Sequence, residues 1–248
     1  MQAVDLNCDL GEGAGHDPEL MPLISSANIA CGGHAGDGTT MRATVQLALR
    51  HGVEIGAHPG FPDRENFGRT ERPATPGEIR GWVLAQTRAL MAVADGCGGR
   101  VGHVKPHGAL YNLAARSPEI AGAVADGVWA ADPRLRLVGL AGSAMIEAGM
   151  QRGLGVVNEA FADRAYVADG SLAPRSQPGA ILEEREAVAQ VLRLVRDGKV
   201  KALDGAEIGI RAESICLHGD GVSALALARA IRSALLDARI SIRARPAR

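Results

Sequence analysis

The chain has 248 residues, 46% of them hydrophobic and 22% charged, a composition that supplies a sizeable core without a membrane span or a disordered tract. Its formal net charge of −1 gives no basic surface for nucleic acid or anionic lipid. The four cysteines Cys8, Cys31, Cys97 and Cys216 lack zinc-type CxxC spacing, so reduced thiols in a cytoplasmic protein are expected. The opening MQAVDLNCDL, with acids and no basic n-region, agrees with that location.

Short apolar runs alternate with helical patterns along the whole chain. Strands are expected at Ala3–Asp9, Ala27–Cys31, Glu54–His58, Val101–Lys105, Leu135–Leu140, Gly155–Phe161 and Ser214–His218. Helices are expected at Asp17–Ile24, Thr39–His51, Thr75–Ala94, Ser117–Ala131, Ser143–Gln151, Ala180–Arg196 and about Val222–Ala238. Thr75-Pro76, Ser117-Pro118 and Ser143 read as helix starts, and Gly52, Gly153 and Gly198 as stops. Seven β-α units without a linker predict one α/β domain over residues 1–248 with a parallel sheet, and the length and polar pattern favour a closed barrel over an open sheet.

Strand parity separates two kinds of side chain. Leu6, Cys8, Ile29, Cys31, Ile55, Ala57, Val104, Ile215 and Leu217 form one face, suited to a helical shell. Asp5, Asn7, Asp9, Asn28, His58, His103, Lys105, His107, Ser214 and His218 form the other. Polar groups therefore gather at the C-terminal ends of the strands, where barrels of this kind build their sites. The segments that follow read alike: DLGEGAG, GGHAGDG, HPGFPDRENFGR, PHGALYN, NEAFADRAY and HGDG. In VKPHGALYN, residues 104–112, Lys105 and His107 have the same parity and should enter the mouth together. Only three lysines occur, Lys105, Lys199 and Lys201, which singles out Lys105.

Lys105 is suited to holding an anion or polarising an amide carbonyl, and His107 to proton transfer; Lys105 bonded to strand carbonyls is the structural alternative. His34, His58, His218, Asp37 and Asp220 form either a mixed nitrogen–oxygen metal site or a hydrogen-bonded network, and no spacing decides between them. Glu159, Asp163 and Arg164 are an acid/base group with a substrate clamp, or a plain ion pair. Gly11, Gly13 and Gly15 could offer amides to phosphate, a weak signal because neither GxGxxG nor GxxxxGK[ST] is present. No GxSxG elbow supports serine catalysis. Cys31 has the shell-facing parity, and Cys216 points inward without an evident activating partner.

Taken in order, DLNCDLGEG, SANIACGGHAGD, GAHPGFPD, FGR, VKPHGALYN, EAFADRAY and ICLHGD resemble the LamB/YcsF family, which includes the A subunit of prokaryotic 5-oxoprolinase. The resemblance implies a distorted (β/α)7 TIM-like barrel related to polysaccharide-deacetylase-like barrels. It implies ATP-dependent opening of 5-oxoproline to glutamate, with two partner subunits, B and C. The family motifs fall on Asp9, Glu12, Asn28, His34, Asp37, His58, Arg69, Lys105, His107, Tyr111, Asn112, Glu159, Asp163, Arg164, His218 and Asp220. On the chemistry of these residues, Lys105, His107, Asp9 and Glu159 are expected to be catalytic, and Asn28, Arg69, Tyr111, Asn112, Asp163 and Arg164 to bind substrate. Gly33 stands where the family commonly has an aromatic residue, and Gly38 where proline is usual. Two other readings stay open: a metal-dependent deacetylase or amidohydrolase acting alone, and a carrier that delivers a lactam to its partners. Homo-oligomerisation is equally open.

Overall fold

The computed structural model describes residues 2–217 and 224–244. Strands β1 (Ala3–Leu10), β2 (Ser26–Ala30), β3 (Glu54–His58), β4 (Val101–Val104), β5 (Arg136–Leu140) and β6 (Gly155–Phe161) pair in sequence order, all parallel. After a short antiparallel pair, β7 (Lys199–Lys201) with β8 (Glu207–Gly209), strand β9 (Ser214–Leu217) inserts between β6 and β1. The result is a closed parallel barrel of seven strands, as expected. A two-residue strand β10 (Ser241–Ile242) pairs with the start of β1. The β3–β4 register shifts between Ile55 and Gly56, one source of the distortion. There, a Cβ on the inward-facing Gly56 would collide with His103 Nε2, so the missing side chain makes room for that ring.

The helices are α1 (Asp17–Leu20), α2 (Gly38–His51), α3 (Pro76–Gly96), α4 (Gly108–Arg116), α5 (Pro118–Ala131), α6 (Ala144–Arg152), α7 (Glu184–Asp197) and α8 (Ala224–Asp237). Thr75 and Glu78 form a reciprocal cap on α3, Ser117 caps α5, and Gly52, Gly153 and Gly198 end their helices in the left-handed region. The shell-facing residues Leu6, Cys8, Ile29, Ile55, Val104, Leu137 and Ile215 are buried in one continuous core with the helices. Burying each such aliphatic side chain is worth about 1.5–3 kcal/mol, which makes this layer the main source of stability. Among the described residues no helix is long and apolar enough to cross a membrane.

Helix α4 was not expected, because Pro106 and Gly108 punctuate the segment as a loop. It starts directly after His107 and buries Ala109, Leu110, Tyr111 and Ala114 on one face. Strands β7, β8 and β10 are too short to show an alternating pattern.

Candidate active site

A cavity of about 680 Å³ opens at the C-terminal mouth of the barrel. Its wall includes Asp9, Glu12, His58, Arg69, Lys105, His107, Tyr111, Asn112, Arg116, Phe161 and Arg164, with the loop Asp169–Arg175 and the end of β8 arching over one side. Lys105 and His107 reach it together because the β3–β4 ladder continues past β4: Lys105 N donates to Ala57 O and His107 N to Pro59 O. Pro106, which has no N–H, occupies the alternate position that this ladder does not use.

The Lys105 ammonium is 2% exposed and lies 3.0 Å from both Asp9 Oδ1 and Glu159 Oε1. It also donates to Cys216 Sγ at 3.0 Å and Asn7 Oδ1 at 3.3 Å. Burial alone would lower its pKa, but Asp9, Cys216 and Glu159 outweigh this and raise it well above the usual lysine value. Lys105 is thus a fixed cation that holds two carboxylates side by side, not a proton acceptor. Cys216 does have a cationic neighbour, yet burial keeps its thiol pKa well above the ordinary value despite Lys105.

Beside this group, Glu12, His34, His58 and His107 place one donor atom each within 4.8 Å of one another. Glu12 Oε1 is 2.9 Å from His34 Nε2, 3.2 Å from His107 Nδ1 and 3.7 Å from His58 Nε2. His58 Nε2 is 3.0 Å from His107 Nδ1 and 3.3 Å from Asp9 Oδ2. The His34 and His107 rings stack with centroids 3.6 Å apart. Burial pushes Glu12 up, but hydrogen bonds with His107 and His34 prevail and bring it down to about 2. Burial pushes His34 down to about 4, opposed only in part by Glu12, so this imidazole is neutral near pH 7.

Local backbone devices hold the cluster. Arg64 Nη1 donates to Gly32 O and Gly36 O, pinning the loop that carries His34. Phe67 has a left-handed φ of 55°, a conformation that costs about 1–2 kcal/mol, and its carbonyl accepts from His107 Nε2 at 2.9 Å. A Cβ at Gly68 would lie 2.8 Å from His34 Cβ, and its φ of +62° independently favours glycine. Gln86, which carried no sequence signal, bonds both the N–H and the carbonyl of Gly60. It fits because Gly33 has no side chain: a Cβ there would collide with Gln86 Oε1. A glutamine from α3 thus takes up space beside Gly33, the position where the resemblance led us to expect an aromatic ring.

The remaining expected site residues divide clearly. Arg69, Tyr111, Asn112 and Arg164 line the cavity. Among the described residues Arg164 Nε and the Ser143 hydroxyl, both in the cavity wall, are buried without a protein partner, while the Tyr111 hydroxyl faces the Glu159 carboxylate. Burial and the Glu159 carboxylate push the Tyr111 pKa well up, keeping a proton on the hydroxyl. Asn28 does not reach the cavity; it is fully buried and bonds Asn7, Asp9 and His103. Asp163 is half-buried and absent from the lining. Asp37 stands apart from the histidines as the N-cap of α2, accepting from Thr40 N. His218 and Asp220 lie outside the described residues. Gly11, Gly13 and Gly15 all take positive φ, but the Gly11 amide already donates to the Asp17 carboxylate, whose charge opposes a phosphate there. Glu12 and Arg116 enter the site without having been expected to act in it. Glu12 lies on the loop after β1 and Arg116 at the end of α4, far apart in sequence, so no spacing rule could unite them with their neighbours.

The match to a lactam utilization protein from Thermus thermophilus has a TM-score of 0.93 at 49% identity, covering 98% of this chain and 100% of that one. The polysaccharide deacetylase Bc1974 from Bacillus cereus matches at a TM-score of 0.52 and 14% identity, covering 99% of this chain and 93% of that one, which shows a shared fold. The peptidoglycan deacetylase PdaC from Bacillus subtilis behaves likewise, with a TM-score of 0.50 at 12% identity over 97% of this chain and 86% of that one. With the model of the LamB/YcsF family matching residues 4–248, the chain belongs to that family.

Proposed function

We propose that the protein is a cytoplasmic hydrolase of cyclic amides. In this reading it is the A subunit of an ATP-dependent 5-oxoprolinase, opening 5-oxo-L-proline to L-glutamate with partner subunits B and C. The relative from Thermus thermophilus, named for lactam utilization, supports the substrate class. The observation that carries the reading is the pair of donors in the cavity wall without a partner among the described residues, the Ser143 hydroxyl and Arg164 Nε. A buried donor left unpaired costs about 1–3 kcal/mol, so a ligand rich in acceptors is favoured there. 5-Oxoproline offers two kinds, a lactam oxygen and a carboxylate. Arg69 and Arg175 add positive charge for the carboxylate or for phosphate, whereas Arg116 at the rim is already paired with Glu71 at 2.6 Å.

An unstrained lactam is a poor electrophile. Transfer of the ATP γ-phosphoryl group to the lactam oxygen forms an imidate phosphate and ADP. Water then adds to the activated carbon and the C–N bond breaks, leaving an acyl phosphate and a nitrogen that gains protons to become the amine of glutamate; a second water cleaves the acyl phosphate to carboxylate and phosphate. Asp9 is the best-placed base, because it lines the cavity with its Oδ1 3.0 Å from the Lys105 ammonium. His107 is less free to shuttle protons, since its Nε2 is held by the Phe67 carbonyl and its Nδ1 faces Glu12 and His58. Asp9→Asn should therefore lower turnover by roughly 10²–10⁴-fold. Without a P-loop, nucleotide handling falls in part to the partners.

The test is glutamate release from 5-oxoproline, with and without ATP, by this chain alone and with subunits B and C. ATP-dependent release only in the mixture supports the reading. The second reading, a metal-dependent amidohydrolase acting alone, draws on the Glu12–His34–His58–His107 cluster. A divalent ion held by those residues supplies Lewis-acid polarisation. Amide hydrolysis by the chain alone, without ATP and abolished by chelation, would favour that reading.

A further inference from the structure

The three buried imidazoles differ in how their ring protons are fixed. A carbonyl oxygen only accepts, so the nitrogen facing it must carry the proton. His58 Nδ1 lies 2.7 Å from Lys105 O and therefore donates to it. His107 Nε2 donates in the same way to Phe67 O at 2.9 Å. In the neutral rings, His58 Nε2 and His107 Nδ1 are then both lone pairs, yet they face each other at 3.0 Å. Glu12 Oε1, a third acceptor, lies 3.2 Å from His107 Nδ1 and 3.7 Å from His58 Nε2. Three acceptors converging in a buried site, with Asp9 Oδ2 a further 3.3 Å from His58 Nε2, repel one another unless a proton or a metal cation sits among them.

We infer that Glu12 Oε1, His58 Nε2 and His107 Nδ1 are the protein ligands of a divalent first-row transition ion, with zinc the best match to the donor set. Ligands about 2.1 Å from a tetrahedral ion lie roughly 3.4 Å apart, and the three contacts straddle that value. The backbone carbonyls of Lys105 and Phe67 perform the orienting task that outer groups perform at histidine-bound metals. His34 is assigned a different part. Its Nδ1 has no partner among the described residues, so its proton belongs on Nε2, which donates to Glu12 and holds the carboxylate in place. Three protein ligands leave a coordination position open, and His58, His107 and Glu12 all border the cavity. The inference rests on ring geometry and stands whatever the substrate proves to be.

The decisive experiment strips the full-length protein with chelator, then titrates it with zinc or cobalt chloride alone at neutral pH. Calorimetry reads stoichiometry, thermal unfolding reads stabilisation, and the cobalt absorption spectrum reads nitrogen ligation. One ion per chain, a raised Tm and a zinc-displaceable cobalt spectrum are expected. His58→Ala and His107→Ala should abolish binding, whereas His34→Ala should weaken it by roughly 10–100-fold. Glu12→Gln, nearly equal in size to the native residue, keeps the test decisive if a histidine variant fails to fold, and it too should lose tight binding. The exposed His51→Ala should bind as the native protein does. No saturable uptake, or uptake unchanged by Glu12→Gln and His107→Ala, overturns the inference and leaves a shared proton as the occupant.

Discussion

The barrel axis carries polar groups at both ends, and the two ends differ in how far those groups satisfy one another. At the N-terminal end Asp5 accepts from Ser25 and Ser26 at 2.7 and 2.5 Å and also from Ser214. Glu54 pairs with Arg136, and His103 bridges Glu54 to Asn28. The space among these residues is about 10 Å³, and none of them leaves a buried side-chain atom unpartnered. At the mouth, a cavity of about 680 Å³ adjoins unpartnered donors and a cluster in which acceptors face acceptors. Closed hydrogen-bonding is the mark of a structural network, and unmet demand is the mark of a site prepared for something else. Burial and polarity alone would not have told the two ends apart.

Lys105 sits where the ends meet, and it should give the largest effect. Lys105→Met leaves the buried Glu159 and the partly buried Asp9 adjacent without their counter-charge. A broken buried ion pair typically costs about 3–5 kcal/mol, and turnover should disappear with it. Urea denaturation measures the first and glutamate release the second. A variant as stable as the native protein would mean that Lys105 does not couple the mouth to the network below.

Much of this contrast was already legible in the order of residues. Alternation along β1 and β4 assigned Asp5, Asn7, Asp9, His103 and Lys105 to the interior, and the structure buries all of them there except Asp9, which stays partly open to the cavity. A period of two is a local property, so one strand suffices to read it. The histidine cluster is a different kind of fact. Its members come from four segments, and their distances depend on barrel closure and on turns such as the one at Phe67 and Gly68. Asp37 shows the opposite hazard. It stood close to His34 in the chain and invited a ligand role, although Asp-Gly-Thr-Thr at a helix start is equally a capping signal, and that is the role it takes. Helix α4 was hidden by Pro106 and Gly108, while its buried Leu110, Tyr111 and Ala114 carried a helical spacing that could have exposed it.

Glu54→Gln tests the closed end. Burial raises the Glu54 pKa, but the hydrogen bond and charge of His103, with Arg136, outweigh it and place the carboxyl below its usual value of 4.5. A depressed folded pKa contributes stability that is present above the unfolded value and is lost as pH falls through the folded one. The substitution should cost about 1.5–3 kcal/mol near neutral pH, and the gap from the native protein should close as the medium is acidified below the ordinary carboxylate range. Turnover per folded molecule should not change. Denaturation curves at several pH values check the first claim, and a large loss of turnover would break the proposed division between the two ends.

Tyr111→Phe is the converse test and the smallest in energy. It removes one buried hydroxyl from the cavity wall, where its neighbour is the Glu159 carboxylate. Stability should therefore fall by about 0.5–1.5 kcal/mol, the net worth of one hydrogen bond. If the hydroxyl donates to the lactam oxygen, kcat/KM should fall by roughly tenfold, equivalent to about 1.4 kcal/mol of lost interaction. Both readouts move at the mouth, whereas Glu54→Gln moves stability alone at the base of the barrel. A Tyr111→Phe protein that lost stability but kept its kcat/KM would place Tyr111 with the structural network and remove it from substrate recognition.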